Sequence, residues 1–297
     1  MIPLQIKIWK ELFLESLSLL PEDITISLSG GIDSSSIVFG LAELGRTPKH
    51  AVTFKLDGYK ESSDIYYTKK ICDEYGIDLK IANIPNLSKD ELLLDLKDVV
   101  EDINKIRNID ILCCYAYKYM IPLMTNNNLV TGMYPGTSSI SFDSQVEKEM
   151  RLAFKTNDFE VLNKKIIADR ENYFNGLNIN GQISNYEIIK QYCFLHNINM
   201  LFPFKYDKLY HFSGCMSLFD FYYLDNKFYS KAHLRHWIFK EQFDKIGNSK
   251  NAKDMHVNNH LKEYFTKVLT DDNYHAIVSI CNQVKKDNKA NDLGEFF

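Results

Sequence analysis

The residues most able to do chemistry in this chain are Ser29-Gly30-Gly31-Ile32-Asp33-Ser34-Ser35. Gly30 and Gly31 carry no side chain, so an anion can come close to their amides, and both can adopt positive φ. If a helix begins at this point, its positive end and unpaired amides favour phosphate oxygens. Ser29, Ser34 and Ser35 add hydroxyl donors, and Asp33 is a hard oxygen ligand placed where a magnesium ion on those phosphates could sit. The segment is neither GxxxxGK[ST], since no lysine completes that pattern, nor GxGxxG. A kinase-type phosphate loop and a dinucleotide-binding turn are therefore both disfavoured.

Such a loop needs a strand before it and a helix after it. Ile24-Thr25-Ile26-Ser27-Leu28 is a short β-branched run that predicts a strand, and Ser34 to about Leu44 predicts a helix closed by Gly45. Upstream, residues 3–20 place apolar side chains at three- and four-residue spacing, which predicts an amphipathic helix stopped at Pro21. The rhythm recurs as a strand over 50–56, a helix over 62–75 ended by Gly76, a strand over 78–84, helices over 88–101 and 109–124, and a strand over 128–131. Strands alternating with helices imply a parallel sheet covered on both faces. Beyond Ser144 strand patterns stop and helical ones take over, at 145–170, 183–196, 206–224, 229–243 and 258–287. The expected fold class is thus α/β, a doubly wound parallel sheet followed by a mostly helical C-terminal part. Residues 1–143 would form the nucleotide-binding unit with its leading helix, and 144–297 a helical substrate or lid region.

The loop matches the SGGxDS signature of the N-type ATP pyrophosphatases, the PP-loop superfamily. It most resembles the asparagine synthetase branch, which carries SGGLDSS. The order of elements is similar as well, with Thr53-Phe54 closing the second strand and acidic Glu61 and Asp64 following it. The resemblance implies an adenine nucleotide α-hydrolase-like sheet that uses ATP and Mg2+. Members cleave ATP between the α- and β-phosphates, pass AMP to a carboxylate or amide oxygen, and let an amine or thiol displace it. By this resemblance Ser29, Gly30, Gly31, Asp33, Ser34 and Ser35 hold the triphosphate, and backbone around Leu28, Phe54 and Gly132 frames adenine and ribose. Lys231-Ala232-His233-Leu234-Arg235 resembles the family's KxxLR segment, which implies a catalytic Lys231 facing the leaving pyrophosphate, with Arg235 on the same helix face. Phe202-Pro203-Phe204-Lys205-Tyr206-Asp207 is similar to the family's R-x-P-F-x-D turn, and Lys250 and Lys253 fall where members carry a basic loop.

The chain departs from the family at the second motif, SGEGxDE. Thr131 and Gly132 fit its nucleotide-contacting pair, but Met133 stands at the glutamate and Gly136 at the magnesium-binding aspartate. Methionine can neither move a proton nor hold a hard cation. Asp143 is the candidate second magnesium ligand, and Tyr134-Pro135 is similar to the second motif of amide- and nitrile-forming purine enzymes. The expected activity is an AMP-forming, amide-forming ligase acting on a small-molecule acid. Modification of a nucleobase or tRNA is the alternative, and a non-catalytic ATP-binding module comes third. The first strand candidate begins at Ile24, after about twenty residues, so glutamine hydrolysis by this chain is not expected. Ammonia or another amine, supplied free or by a separate glutaminase subunit, is the expected nucleophile.

Composition narrows the remaining classes. Of 297 residues 45% are hydrophobic and 25% charged, and a formal charge of −4 gives no general attraction to polyanions, so nucleic acid is the second-choice partner. No apolar run spans a bilayer and the chain opens without a signal-peptide pattern, so a cytoplasmic protein with reduced thiols is expected. Its six cysteines include no CxxC, and structural zinc is not expected. His256 and His260 lack the intervening glutamate of a metalloprotease helix and read as surface residues. The aromatic run Phe219-Asp220-Phe221-Tyr222-Tyr223 reads as core.

Overall fold

Strand β1 (Thr25–Ser27) lies in the middle of a five-stranded parallel sheet, with β2 (His50–Leu56) on one side and β4 (Asn128–Thr131) on the other. Thr25, Ile26 and Ser27 pair with His50, Ala51 and Val52, and on their other edge with Leu129, Val130 and Thr131. Strand β3 (Asp78–Ile84) lies outside β2, giving the order β3-β2-β1-β4-β5. This computed structural model describes residues 2–103, 108–135, 183–216, 231–247 and 260–269, with isolated positions between 152 and 177, between 223 and 228, and at 282–283.

Helices cover both faces of the sheet. On one face lie α1 (Leu4–Ser18), α2 (Ile32–Glu43) and α3 (Ser63–Tyr75); on the other lie α4 (Lys89–Asp102) and α5 (Asn108–Met120). Each boundary has a local cause. The Ser62 hydroxyl accepts from the Ile65 amide to start α3, and Gly76, at φ 66, ends it in the left-handed region. Ser88 and Glu91 form a capping box at α4. Strand side chains alternate between two cores, as the pleat requires: Ala51 and Val130 face the α1–α2 layer, Val52 and Leu129 the α4–α5 layer.

The second half of the chain departs from the sequence expectation. After α6 (Asn185–Leu195), residues Asn199–Leu201 form β5, which joins the sheet parallel to β4 through the pairs Leu129↔Met200 and Val130↔Leu201. Three residues reading Asn-Met-Leu carry neither a β-branched run nor alternation, so only the exposed edge of β4 makes them a strand. The stretch expected to be helical over 206–224 stops at Cys215, ending α7 (Asp207–Cys215), and Tyr223–Leu224 (β6) pairs antiparallel with Lys227–Phe228 (β7). Over 229–243 the chain forms a π-helical stretch, His233–Ile238, followed by α8 (Lys240–Lys245). Within 258–287 the described helix is α9 (Leu261–Leu269), which covers the α4–α5 face. Nearly all of the helix expected over 145–170, and the aromatic run except Tyr223, lie outside the described residues.

Helix α1 ties the C-terminal elements to the sheet. Its buried stripe is Ile6, Trp9, Phe13 and Leu17. Trp9 donates its indole N–H to the Ser213 hydroxyl at 3.0 Å and meets the His233 ring edge-on at 4.8 Å. Phe13 stacks on Trp9 at 5.3 Å and on Phe204 at 4.9 Å. Among the described residues, no helix is long and apolar enough to cross a membrane. Phe13→Ala is expected to destabilise the chain by about 3–5 kcal/mol, since it empties a fully enclosed aromatic site. Urea denaturation followed by circular dichroism measures this, and a loss below about 1 kcal/mol would contradict the anchoring role given to α1.

Candidate nucleotide and acceptor site

The chain leaves β1 at the point where the sheet order reverses, with β2 following on one side and β4 on the other. Ligands of doubly wound sheets bind at this crevice. Leu28 extends the ladder through its amide to Val52 O (3.0 Å), and Thr68 of α3 donates to Leu28 O at 3.2 Å. Gly30 then takes φ 70, and a Cβ there would stand 2.5 Å from Asp64 O, so the turn needs glycine on both counts. Ser29 and Ser34 brace it: Ser34 Oγ accepts from the Ser29 amide at 3.2 Å, and the two hydroxyl oxygens are 3.1 Å apart. Gly31 begins α2 without a side-chain cap, which leaves the first amides of that helix facing the crevice for an anion.

Strand β4 ends against the same turn. A Cβ on Gly132 would lie 2.8 Å from the Ser34 amide nitrogen and 3.0 Å from Asp33 Cβ, so only a bare residue lets the two segments meet. The next residues are held from behind. Tyr134 is fully enclosed at φ 60, and its hydroxyl donates to Glu187 Oε1 at 2.5 Å. Lys205 donates to the same oxygen at 3.1 Å and lies 4.5 Å from the centre of the Tyr134 ring. Burial opposes the charge on Glu187, but the Tyr134 hydroxyl and the Lys205 ammonium outweigh it and hold the carboxyl below its ordinary range.

Lys231 enters from the far end of the sequence. It adopts φ 57, a region that costs a non-glycine residue about 1–3 kcal/mol and survives where its surroundings impose it. Its side chain is only 7% exposed, and its ammonium donates to Asp33 Oδ2. The π-helical stretch follows immediately, with Phe239 N donating to Leu234 O at 3.0 Å. Such irregular turns occur mainly where a helix must place a side chain out of regular register.

These segments enclose one cleft of about 400 Å3. Of the residues expected from the sequence, Leu28, Ser29, Gly31, Asp33, Ser34, Phe54, Thr131, Gly132 and Lys231 all line it. Gly30 sits behind the turn against α3. Ser35 does not reach the cleft; it is fully buried in α2, because the residue after Ser34 points inward to the core. Nor does Arg235: it is buried, and burial weakens its hold on the proton while Tyr67 and Asp244 oppose that effect. Arg235 N donates to Lys231 O at 3.2 Å, so one helical turn joins the two residues, yet the Arg235 side chain is buried and does not line the cleft. Asp143, Gly136, Lys250, Lys253 and His256 lie outside the described residues.

The remaining wall carries little signal in the sequence. Leu112, Cys113, Ala116, Tyr117 and Met120 form one face of α5, and Asn185, Tyr186 and Ile189 come from α6. Apolar residues at helical spacing read as core, and only the opening between α5 and the loop turns them into a cleft wall. Lys262 of α9 adds a second cation to the rim.

For magnesium, the fit rests on Asp33. Its Oδ1 is buried without a hydrogen-bond partner, an orphaned oxygen that a cation would satisfy. Among the described residues no three metal-ligating side chains cluster, so an ion at Asp33 would take its other ligands from phosphate and water.

Residues 22–120 match the family model described as asparagine synthase. This segment is a PP-loop domain of the asparagine synthase type. It runs from just before β1 to the end of α5, so the matched segment contributes the glycine turn, Phe54 and the α5 wall. Thr131, Gly132 and Lys231 join it from beyond the matched segment. Proteins of this superfamily use ATP. Among solved structures the chain is similar to the U34-tRNA thiolase NcsA from Methanococcus maripaludis with its [4Fe-4S] cluster, at 13% identity and a TM-score of 0.34, covering 95% of this chain and 80% of that one. No curated protein matches the chain in sequence.

Behind the PP-loop, Asp64 is 5% exposed and its Oδ1 lacks a partner. Burial pushes its carboxyl up to about 7. The folded chain therefore keeps a proton that the unfolded chain loses near pH 4, and stability falls as pH rises from about 4 to about 7. Asp64→Asn, which resembles the protonated acid, is expected to gain thermal stability over the wild type progressively across that window and to hold the gain above it. Melting curves at half-unit pH steps measure the gap, and a gap independent of pH would contradict the assignment.

Proposed function

We propose that this chain is an AMP-forming ligase that adenylates an acceptor carboxylate on the PP-loop and releases the product to ammonia or another amine. The observation that carries this reading is the meeting of Asp33 and Lys231 above the uncapped start of α2. One side chain suits a cation on the phosphates and the other suits the charge that develops on pyrophosphate. In this reading residues 1–143 hold the nucleotide, and 144–297 supply Lys231 and complete the acceptor side.

The loop amides and the hydroxyls of Ser29 and Ser34 hold the β- and γ-phosphates, while Leu28, Phe54 and Gly132 border the nucleoside. Magnesium at Asp33 would neutralise phosphate charge when bound. An acceptor oxygen attacks the α-phosphorus, and the bond from that phosphorus to the bridging oxygen breaks, so that pyrophosphate departs toward Lys231. The amine then attacks the activated carbonyl, AMP leaves with the carbon–oxygen bond pair, and the amine proton passes to water or to the AMP phosphate. Met133 takes no part in that proton transfer. Positioning and charge stabilisation, both preorganised here, account for most of the acceleration such chemistry needs.

Turnover is expected to yield AMP and pyrophosphate in equal amounts. Lys231→Ala should lower kcat by about 10²–10³-fold, the effect typical of losing one preorganised charge contact. Asp33→Asn should raise the magnesium concentration needed for half-maximal rate. Chromatographic quantification of nucleotides decides the matter: ADP as the product, or full activity in Lys231→Ala, would falsify the reading.

A further inference from the structure

The cleft extends to both sides of β1. Thr53 and Phe54 of β2 border one side, where backbone is available to a nucleoside. Met133, Tyr186 and Ile189 line the cleft from beyond β4 and from α6, and Ala116 and Met120 line it from α5, which packs against β2, β3 and α6. Among the described lining residues the ionisable acids and bases are Asp33, Lys231 and Lys262, apart from the thiol of Cys113 and the phenols of Tyr117 and Tyr186. Lys231 already occupies one oxygen of Asp33.

An α-amino acid acceptor, aspartate included, brings an ammonium group. Desolvating it without a partner is heavily unfavourable. Met133 offers that ammonium no acid, and the described wall offers none elsewhere. A thioether beside aliphatic and aromatic side chains suits a methylene chain or a ring.

We infer that the acceptor is a carboxylic acid with an uncharged apolar body, seated along Met133, Ala116, Met120, Tyr186 and Ile189 with its carboxylate toward Lys231. The inference rests on the adenylating reading, which is what places a carboxylate at that lysine. It specifies the substrate class that this reading leaves open, and it gives the methionine a role in selection.

Isothermal titration of the full chain with butyrate, hexanoate, octanoate and L-aspartate tests it. Affinity is expected to rise about fourfold per added methylene until the cleft is filled, with aspartate at least about tenfold weaker than hexanoate. Met133→Glu should weaken hexanoate at least about tenfold by placing a charge against the chain. Ala116→Leu, a milder change that keeps the wall apolar, should shift the optimum to a shorter acid, with circular dichroism confirming that both variants fold. An affinity that does not depend on chain length, or aspartate binding as tightly as hexanoate, overturns the inference. Pyrophosphate exchange separates the two readings. Acids that bind in the expected series without supporting exchange uphold the apolar subsite and sink the adenylating reading, whereas exchange driven by aspartate alone upholds adenylation and sinks the apolar acceptor.

Discussion

A buried ammonium costs several kcal/mol unless a carboxylate meets it, and in this protein that requirement joins the two ends of the site. Lys231 is nearly enclosed and is paired with Asp33 across 198 residues of sequence. Removing either partner would leave the other charge stranded, so the pair holds Lys231 against the glycine turn. The left-handed backbone at Lys231 and the π-helical stretch after it are the local cost of that placement. Trp9 and Phe13 of α1 help to offset it by packing against His233 and Phe204.

The sheet order makes the rest of the site follow. With β2 and β4 on opposite sides of β1, the turn after β1 opens into a crevice that neither following helix covers. Glycine is needed at two points for different reasons. Gly30 provides positive φ where α3 comes close, and Gly132 lets β4 run directly against the first turn of α2. The Tyr134–Glu187–Lys205 cluster then fixes the backbone beyond β4, so that Met133 is presented to the cleft by a buried and fully engaged support.

That support bears on how the departure from the asparagine synthase pattern is understood. Met133 precedes a tyrosine held by Glu187, which also accepts from Lys205, and lines the cleft with residues of α5 and α6. Met133 is thus part of a mostly apolar stretch of the described lining.

The sequence by itself determined the elements of the N-terminal half and the position of the glycine turn between β1 and α2. β-branched runs, caps such as Ser62 and Ser88, and terminating glycines such as Gly76 are local signals, and the two-glycine turn carries its chemistry in its own backbone. Nine of the expected site residues line one cleft because the turn after β1 and the ends of β2 and β4 lie together at one edge of the sheet. What only the tertiary structure decided were the features that depend on a neighbour. Strand β5 exists because β4 offers an edge to Asn199–Leu201. Arg235 is buried away from the cleft although a hydrogen-bonded turn joins it to Lys231, since what packs around a side chain is not written in its spacing. Ala116 and Met120 border a cleft although their spacing matches that of any core helix, since periodicity tells which face of a helix is apolar and not whether another element closes over it.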